Sequence, residues 1–204
     1  MNTIDKIKRN GIIPYINSCN SEYTKKCIDL CYELGLDVVK INEEHLKDVF
    51  PLYPLVSFVE DISDAKMIEI SCGRDLDEVK ELLEDEIARL LNLRIEHVGI
   101  NSENEEAALN TCKALEKFFF KKYKDVGGSF FQGNREFEIM KTKGRGTYGH
   151  IALLADDIDR CIYYLSKRGV DFDETSIAAK DGIKTLVYLK DEIAGFAFHL
   201  VRLL

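Results

Sequence analysis

The C-terminal half of the chain is written twice, and a repeat of this length constrains a fold more than any single motif can. His97-Val98-Gly99-Ile100 returns fifty-three positions later as His150-Ile151-Ala152-Leu153. Each copy runs through an acidic turn into a helical pattern and closes on a second matched strand. That strand is Phe137-Glu138-Ile139-Met140 in the first copy and Phe198-His199-Leu200-Val201 in the second. Both copies have to be explained together, and both read as β-α-β-β-β. Four metal-competent side chains, His97, Glu138, His150 and His199, then fall at equivalent places.

In the first copy the pattern predicts a strand over residues 94–100 and a helix over 103–120 starting from Ser102. Short strands follow around 128–132 and 135–140. The second copy gives a strand over 149–154, a helix over 158–168 ended by Gly169, and strands at 170–172, 184–190 and 197–202. Alternate side chains of a strand face opposite ways. Val98 and Ile100 therefore oppose His97, and Ile151 and Leu153 oppose His150. In the closing strands Phe137 and Ile139 oppose Glu138, and Phe198 and Leu200 oppose His199. The bulky apolar pairs belong against the helices. The ligand-type residues then look into the other side, mostly beside small neighbours such as Gly99, Ala152 and Ala197.

Any one histidine on a half-buried strand is more often a hydrogen-bonded core residue than a ligand. The chain contains only four histidines, however, and three of them occupy these equivalent places; the fourth, His45, lies in a charged turn and is expected to be exposed. Three nitrogens and one carboxylate suit Zn²⁺, Ni²⁺, Co²⁺ or Fe²⁺ far better than Ca²⁺ or Mg²⁺.

The first ninety residues have a different grammar. A helix over 5–9 stops at Asn10-Gly11, and Gly11-Ile12-Ile13-Pro14-Tyr15-Ile16-Asn17 reads as a strand. Ser21 is a fair N-cap for a helix over 22–34, in which Cys27, Leu30, Cys31 and Leu34 repeat at helical spacing. Gly35 ends it. A strand at 37–41, a brief helix at 45–50, an apolar segment at 54–59 and a short strand at 66–70 follow. Strands alternating with helices predict parallel βα units. A charged helix over 75–91, capped by Asp75 or Asp77, closes this part. The fold class expected is α+β: a small N-terminal α/β domain of parallel βα units over 1–92, then paired βαβββ modules over 93–204, with copies at 93–141 and 147–204.

The opening stretch Lys8-Arg9-Asn10-Gly11-Ile12-Ile13-Pro14-Tyr15-Ile16 resembles the start of the 2-keto-3-deoxy-6-phosphogluconate aldolase family. Those enzymes are βα barrels that use a Schiff-base lysine. Their second strand carries Glu-x-Thr-x-Arg, a catalytic acid with a carboxylate-binding arginine. The matching stretch here is Lys40-Ile41-Asn42-Glu43-Glu44, so both positions are changed and the arginine gives way to the opposite charge. A barrel also needs roughly 200 residues or more. The segment reads as a shortened, non-aldolase relic.

The repeated half resembles the vicinal oxygen chelate superfamily, which includes glyoxalase I, extradiol dioxygenases and bleomycin-resistance proteins. The likeness to glyoxalase I is closest in Tyr148-Gly149-His150-Ile151-Ala152-Leu153 and Gly195-Phe196-Ala197-Phe198-His199-Leu200-Val201. The superfamily's metal ligands sit on the first and last strand of each unit, which implies His97, Glu138, His150 and His199 here. His199 departs from glyoxalase I, where a glutamate is usual. The order of the two halves is similar to an aldolase fused to such a domain.

The resemblance implies a metal-dependent isomerase or lyase acting on a small 2-oxo or 2-hydroxy acid. Glu138, the only carboxylate of the four, becomes the candidate general base. Glu136 is a second candidate, and Lys143, Arg145 and Tyr148 could meet an anionic substrate. The alternatives are a binding protein of the same fold that holds a small molecule without turning it over, or an aldolase-related protein with degenerate catalytic residues. A net charge of −8 argues against a nucleic-acid partner. No apolar run reaches membrane-spanning length and the first ten residues lack a signal-peptide core. The six scattered cysteines are expected to be reduced thiols of a cytoplasmic protein, with Cys27 and Cys31 as buried hydrophobes. A truncated first domain that exposes sheet edge or helix surface is expected to self-associate as a homodimer.

Overall fold

The structure is a computed structural model, and residues 1–18, 20–59 and 65–204 are described. The protein is an α+β chain that separates into two compact units. One comprises Met1–Leu91 with Asp159–Gly169, and the other Asn92–Ile158 with Val170–Leu204.

In the first unit, α1 (Thr3–Asn10), β1 (Ile12–Asn17), α2 (Ser21–Glu33) and β2 (Val38–Ile41) are followed by α3 (Glu43–Val49) and a 3-10 turn (Phe50–Leu52). Then come β3 (Ser57–Phe58), β4 (Lys66–Ser71) and α4 (Leu76–Leu91). The strands form a four-stranded sheet in the order β3-β2-β1-β4, parallel at every pairing. Ile12, Ile16, Ile28, Val39, Ile70 and Leu83 make its core. The predicted βα alternation is therefore present.

The caps differ from expectation. Ser21 is the first helical residue of α2, because Asn20 accepts the Tyr23 N–H through its side chain. Asparagine is at least as good an N-cap as serine, and here it stands one position earlier. His45 is buried rather than exposed, and its Nε2 lies 2.8 Å from the Ser18 carbonyl. Cys27 and Cys31 are fully buried one turn apart on α2, and burial pushes both thiols up. Cys19 lies outside the described residues. None of the described helices is long and apolar enough to cross a membrane.

The second unit holds β5 (Arg94–Ile100), α5 (Glu105–Phe119), β6 (Lys124–Asp125), β7 (Ser129–Gln132) and β8 (Phe137–Met140). Then follow β9 (Gly149–Leu154), α6 (Ile158–Lys167), β10 (Phe172–Lys180), β11 (Ile183–Leu189) and β12 (Phe196–Val201). This is β-α-β-β-β twice. All eight strands join one mixed sheet in the order β10-β11-β12-β9-β5-β8-β7-β6. The two first strands, β5 and β9, meet antiparallel at its centre, and each pairs in parallel with the closing strand of its own copy. Under α5, Ala108, Cys112, Phe130 and Ile139 form the apolar core, with Ile100 and Phe137 packed against it. Ile100, Phe137 and Ile139 are among the residues the period of two sets against the helix.

Helix α6 groups with the first unit, apart from its first residue. Tyr164 is 2% exposed, and its hydroxyl donates to the Asn10 carbonyl at 2.7 Å. The Tyr163 hydroxyl donates to the Gly35 carbonyl, and the Arg9 guanidinium lies over the Tyr163 ring. Strand β10 is much longer than the expected 170–172. Its residues are largely exposed, as an edge strand allows, so they carry no apolar alternation to read. It turns into β11 through Asp181-Gly182, both with positive φ, the signature of a tight hairpin.

Helix α5 starts two residues later than its expected first turn, because Asn104 rather than Ser102 caps it by accepting the Ala107 N–H at 2.9 Å. We expect Asn104→Ala to lower the unfolding free energy by about 1 kcal/mol in urea titration, and Asn104→Gly to cost only a few tenths.

Candidate metal centre

The centre is built by strand register. Across β5 and β9, Gly99 pairs with His150 and His97 with Ala152. Across β9 and β12, Ala197 pairs with His150 and His199 with Ala152. Across β5 and β8, Gly99 pairs with Glu138. Paired residues share a face. One row of the sheet therefore reads His199-Ala152-His97 and the next reads Ala197-His150-Gly99-Glu138. The four ligand-type side chains stand on two adjacent rows of one face, each separated from the next by a residue with little or no side chain.

Gly99 is required sterically. A Cβ at that position would lie 2.0 Å from Cε1 of His150, inside the space the imidazole fills. Outside the pair rows, the repeat supplies an aromatic beside each closing-strand residue. Phe131 pairs with Glu138 and Tyr188 with His199. Phe131 meets the His97 ring edge-on, with centroids 5.6 Å apart, and Tyr188 lies 4.6 Å from the His199 ring.

The structure brings together all four residues singled out in the sequence. His97, His150 and His199 are buried, and each offers a ring nitrogen such that the three atoms lie within 4.8 Å of one another. His97 Nε2 is 3.1 Å from His150 Nε2. Glu138 Oε2 sits 3.1 Å from His150 Nε2 and 3.3 Å from His97 Nε2, while its Oε1 accepts from the Ser129 hydroxyl at 2.5 Å. Among the described residues, neither ring nitrogen of His199 has a hydrogen-bond partner.

Burial opposes ionisation of Glu138, but the hydrogen bonds from His150, His97 and Ser129 outweigh it and hold the carboxyl far below the usual range. Burial likewise disfavours charge on His97, yet the Glu138 and Glu96 carboxylates raise it overall. His199 has no such partner. Burial, then its two neighbouring imidazoles, pull it down to about 3. A buried imidazole with unpaired nitrogens is what a core histidine avoids, and one of the two can serve as a ligand atom.

Other expected residues fare differently. Glu136 is absent from the cluster: its carboxylate accepts backbone N–H groups of its own turn, including that of Asn134, and these hold it below the usual range. Arg145 lies 4.4 Å over the Tyr188 ring and pairs with Asp173 at 2.7 Å. Tyr148 is 63% exposed and packs on Phe196. Lys40 lies over the Tyr15 ring, and Glu44 is exposed beside His45.

Three participants escaped the sequence reading. Ser129 carries no signal in sequence. Arg135, over the Phe131 ring, follows a glycine turn that reads as connector. Glu96 reaches His97 Nδ1 because the β5–β9 register slips between Ile95 and His97. The slip also turns Ile95, expected beside His97, outward to 66% exposure. A bulge cannot be read from alternation.

We expect Gly99→Ala to displace the His150 ring. The variant should lose about 1–3 kcal/mol of stability in denaturant titration, and it should no longer take up Zn²⁺ stoichiometrically in calorimetry.

No family model matches the chain, and no curated protein matches it. Among solved structures, it is similar to the crystal structure of a hypothetical protein from Bacillus halodurans C-125, with 14% sequence identity and a TM-score of 0.37. That match covers 55% of this chain and 95% of the other. A likeness at this level assigns neither a family nor an activity.

Proposed function

We propose that the repeated half is a metal-binding member of the vicinal oxygen chelate superfamily, acting as an isomerase or lyase on a small 2-oxo or 2-hydroxy acid. The observation that carries the reading is the convergence of His97, His150 and His199, with ring nitrogens within 4.8 Å of one another and both His199 nitrogens without a partner among the described residues. Three imidazoles with the Glu138 carboxylate are a donor set for Zn²⁺, Ni²⁺, Co²⁺ or Fe²⁺. Such an ion, when bound, supplies Lewis-acid polarisation of a substrate carbonyl.

The chain's own residues do the rest. Glu138 takes the proton from the carbon next to that carbonyl, and Ser129 holds the carboxylate in place through Oε1. Arg145, resting on the ring that packs against His199, offers a cation to the carboxylate of the substrate. Arg135 does the same from the His97 side through Phe131. The N-terminal unit is the shortened relic of an aldolase-type βα fold, with Lys40 and Glu44 where an acid and an arginine would be needed.

Elemental analysis of the purified chain tests this most directly. We expect about one transition ion per chain, lost in a His150→Ala, His199→Ala double variant. We also expect turnover of a member of a 2-oxo and 2-hydroxy acid panel by the loaded protein, and no aldol cleavage of 2-keto-3-deoxy-6-phosphogluconate by the full chain. Absence of bound metal under any supply would favour a small-molecule-binding protein of the same fold.

A further inference from the structure

We propose that Glu96 is a positioning residue of this centre: it accepts the Nδ1 proton of His97, fixes the neutral imidazole in one tautomer, and leaves Nε2 as the lone-pair nitrogen beside His150. The inference rests on the metal-binding reading above and concerns how one ligand is made ready.

The geometry begins with the backbone. Glu96 and His97 are consecutive on β5 and would ordinarily face opposite ways. The slip in register at this point leaves Ile95 paired with Leu153 and His97 with Ala152, so two β5 steps span one step of β9. An extra residue of this kind re-aims side chains. Here it lets the Glu96 Oε2 atom close on Nδ1 of its own neighbour. The carboxylate is not a surface group that happens to be near. Its side chain is 10% exposed, and its other oxygen, Oε1, lies 3.4 Å from Nε of Arg135. A buried carboxylate needs partners for both oxygens, and this one has a guanidinium on one side and an imidazole on the other.

The consequence is on the far side of the ring. A carboxylate is acceptor-only, and one stands at each ring nitrogen of His97: Glu96 at Nδ1, and Glu138 Oε2 3.3 Å from Nε2. The Glu138 oxygen also lies 3.1 Å from His150 Nε2, which can donate to it, whereas Glu96 meets His97 alone among the imidazoles of the centre. The single proton of neutral His97 is therefore assigned to Nδ1, which leaves Nε2, 3.1 Å from His150 Nε2, as the lone-pair nitrogen. Metal-ligating histidines characteristically donate their second ring N–H to such a partner, which raises ligand basicity and holds the ring. The second copy has no counterpart: the position before His150 is Gly149, whose added Cβ would lie 2.0 Å from the Gly99 carbonyl oxygen. The two halves of the repeat therefore prepare their first-strand histidines differently.

Long-range ¹H–¹⁵N correlation spectra of the metal-free wild type at alkaline pH read the tautomer directly and need no variant. We expect His97 to be protonated at Nδ1, and to lose that preference in Glu96→Ala. Zn²⁺ affinity should fall about 10- to 100-fold in Glu96→Ala. Glu96→Gln, which retains an oxygen acceptor, should lose less and keep the tautomer. An Nε2–H imidazole at His97 in wild type, or Glu96→Ala binding Zn²⁺ as tightly as wild type, overturns the assignment while leaving the metal centre standing. A wild type that binds no Zn²⁺ overturns the metal reading instead, and with it the purpose given to Glu96.

Discussion

Four bulky ligand-type side chains can share one face of a sheet only if the positions between them are nearly empty. Adjacent strands lie about 4.8 Å apart, so large side chains at directly opposed positions pack side by side, as Tyr188 and His199 do, instead of converging on one point. The chain meets this with Ala152 between His199 and His97, and with Ala197 and Gly99 on either side of His150. Gly99 is the tightest of these. The His150 ring lies over its Cα, where even a methyl group would overlap three ring atoms. The glycine is thus as much a part of the centre as the imidazoles, although it offers no ligand atom.

That steric condition explains why the fold and the centre are one problem. A register error of one residue on β5, β9 or β12 would exchange faces, turning a histidine toward the helix and an isoleucine or phenylalanine toward the cluster. The apolar set under α5, built on Ile139, Phe130 and Ile100, is what opposes that exchange. Packing on one side of the sheet therefore fixes the chemistry available on the other.

The sequence disclosed much of this because it carries the pattern twice. The repeat singled out His97, Glu138, His150 and His199 and alternation set them on one face, and the structure places the four side chains close together. The βα alternation of the first ninety residues was equally readable. What escaped has physical reasons. Strand β10 is an exposed edge with no hydrophobic face to alternate. Asn104 and Asn20 took the capping role from nearby serines, a competition decided by one or two residues of chain direction. His45 was masked by the charges around it, since nothing in Glu43-Glu44-His45 announces the Ser18 carbonyl it reaches. Glu96 was hidden by the bulge, because a period-two reading places it on the opposite face from His97. Ser129 and Arg135 become meaningful only once β7 and β8 are paired.

The energetics of the cluster bear on what it is for. His199 keeps two ring nitrogens buried with no partner among the described residues, and a buried polar group left unsatisfied costs roughly 1–3 kcal/mol. Gly99 in a strand interior carries the backbone-entropy cost of a glycine, about 0.5–1 kcal/mol, at a site where an alanine Cβ would overlap the His150 ring. A core built for stability alone would have filled this face with aliphatic side chains, which replace buried polar groups without penalty. A ligand that binds the folded chain and not the unfolded one adds about 2.7 kcal/mol at a hundred times its dissociation constant. That is the same order as the deficit. In the proposed reading the cost is local and in part recoverable: the His199 imidazole, unpaired among the described residues, destabilises the sheet, and an ion held by one of its nitrogens would restore part of what its burial removed.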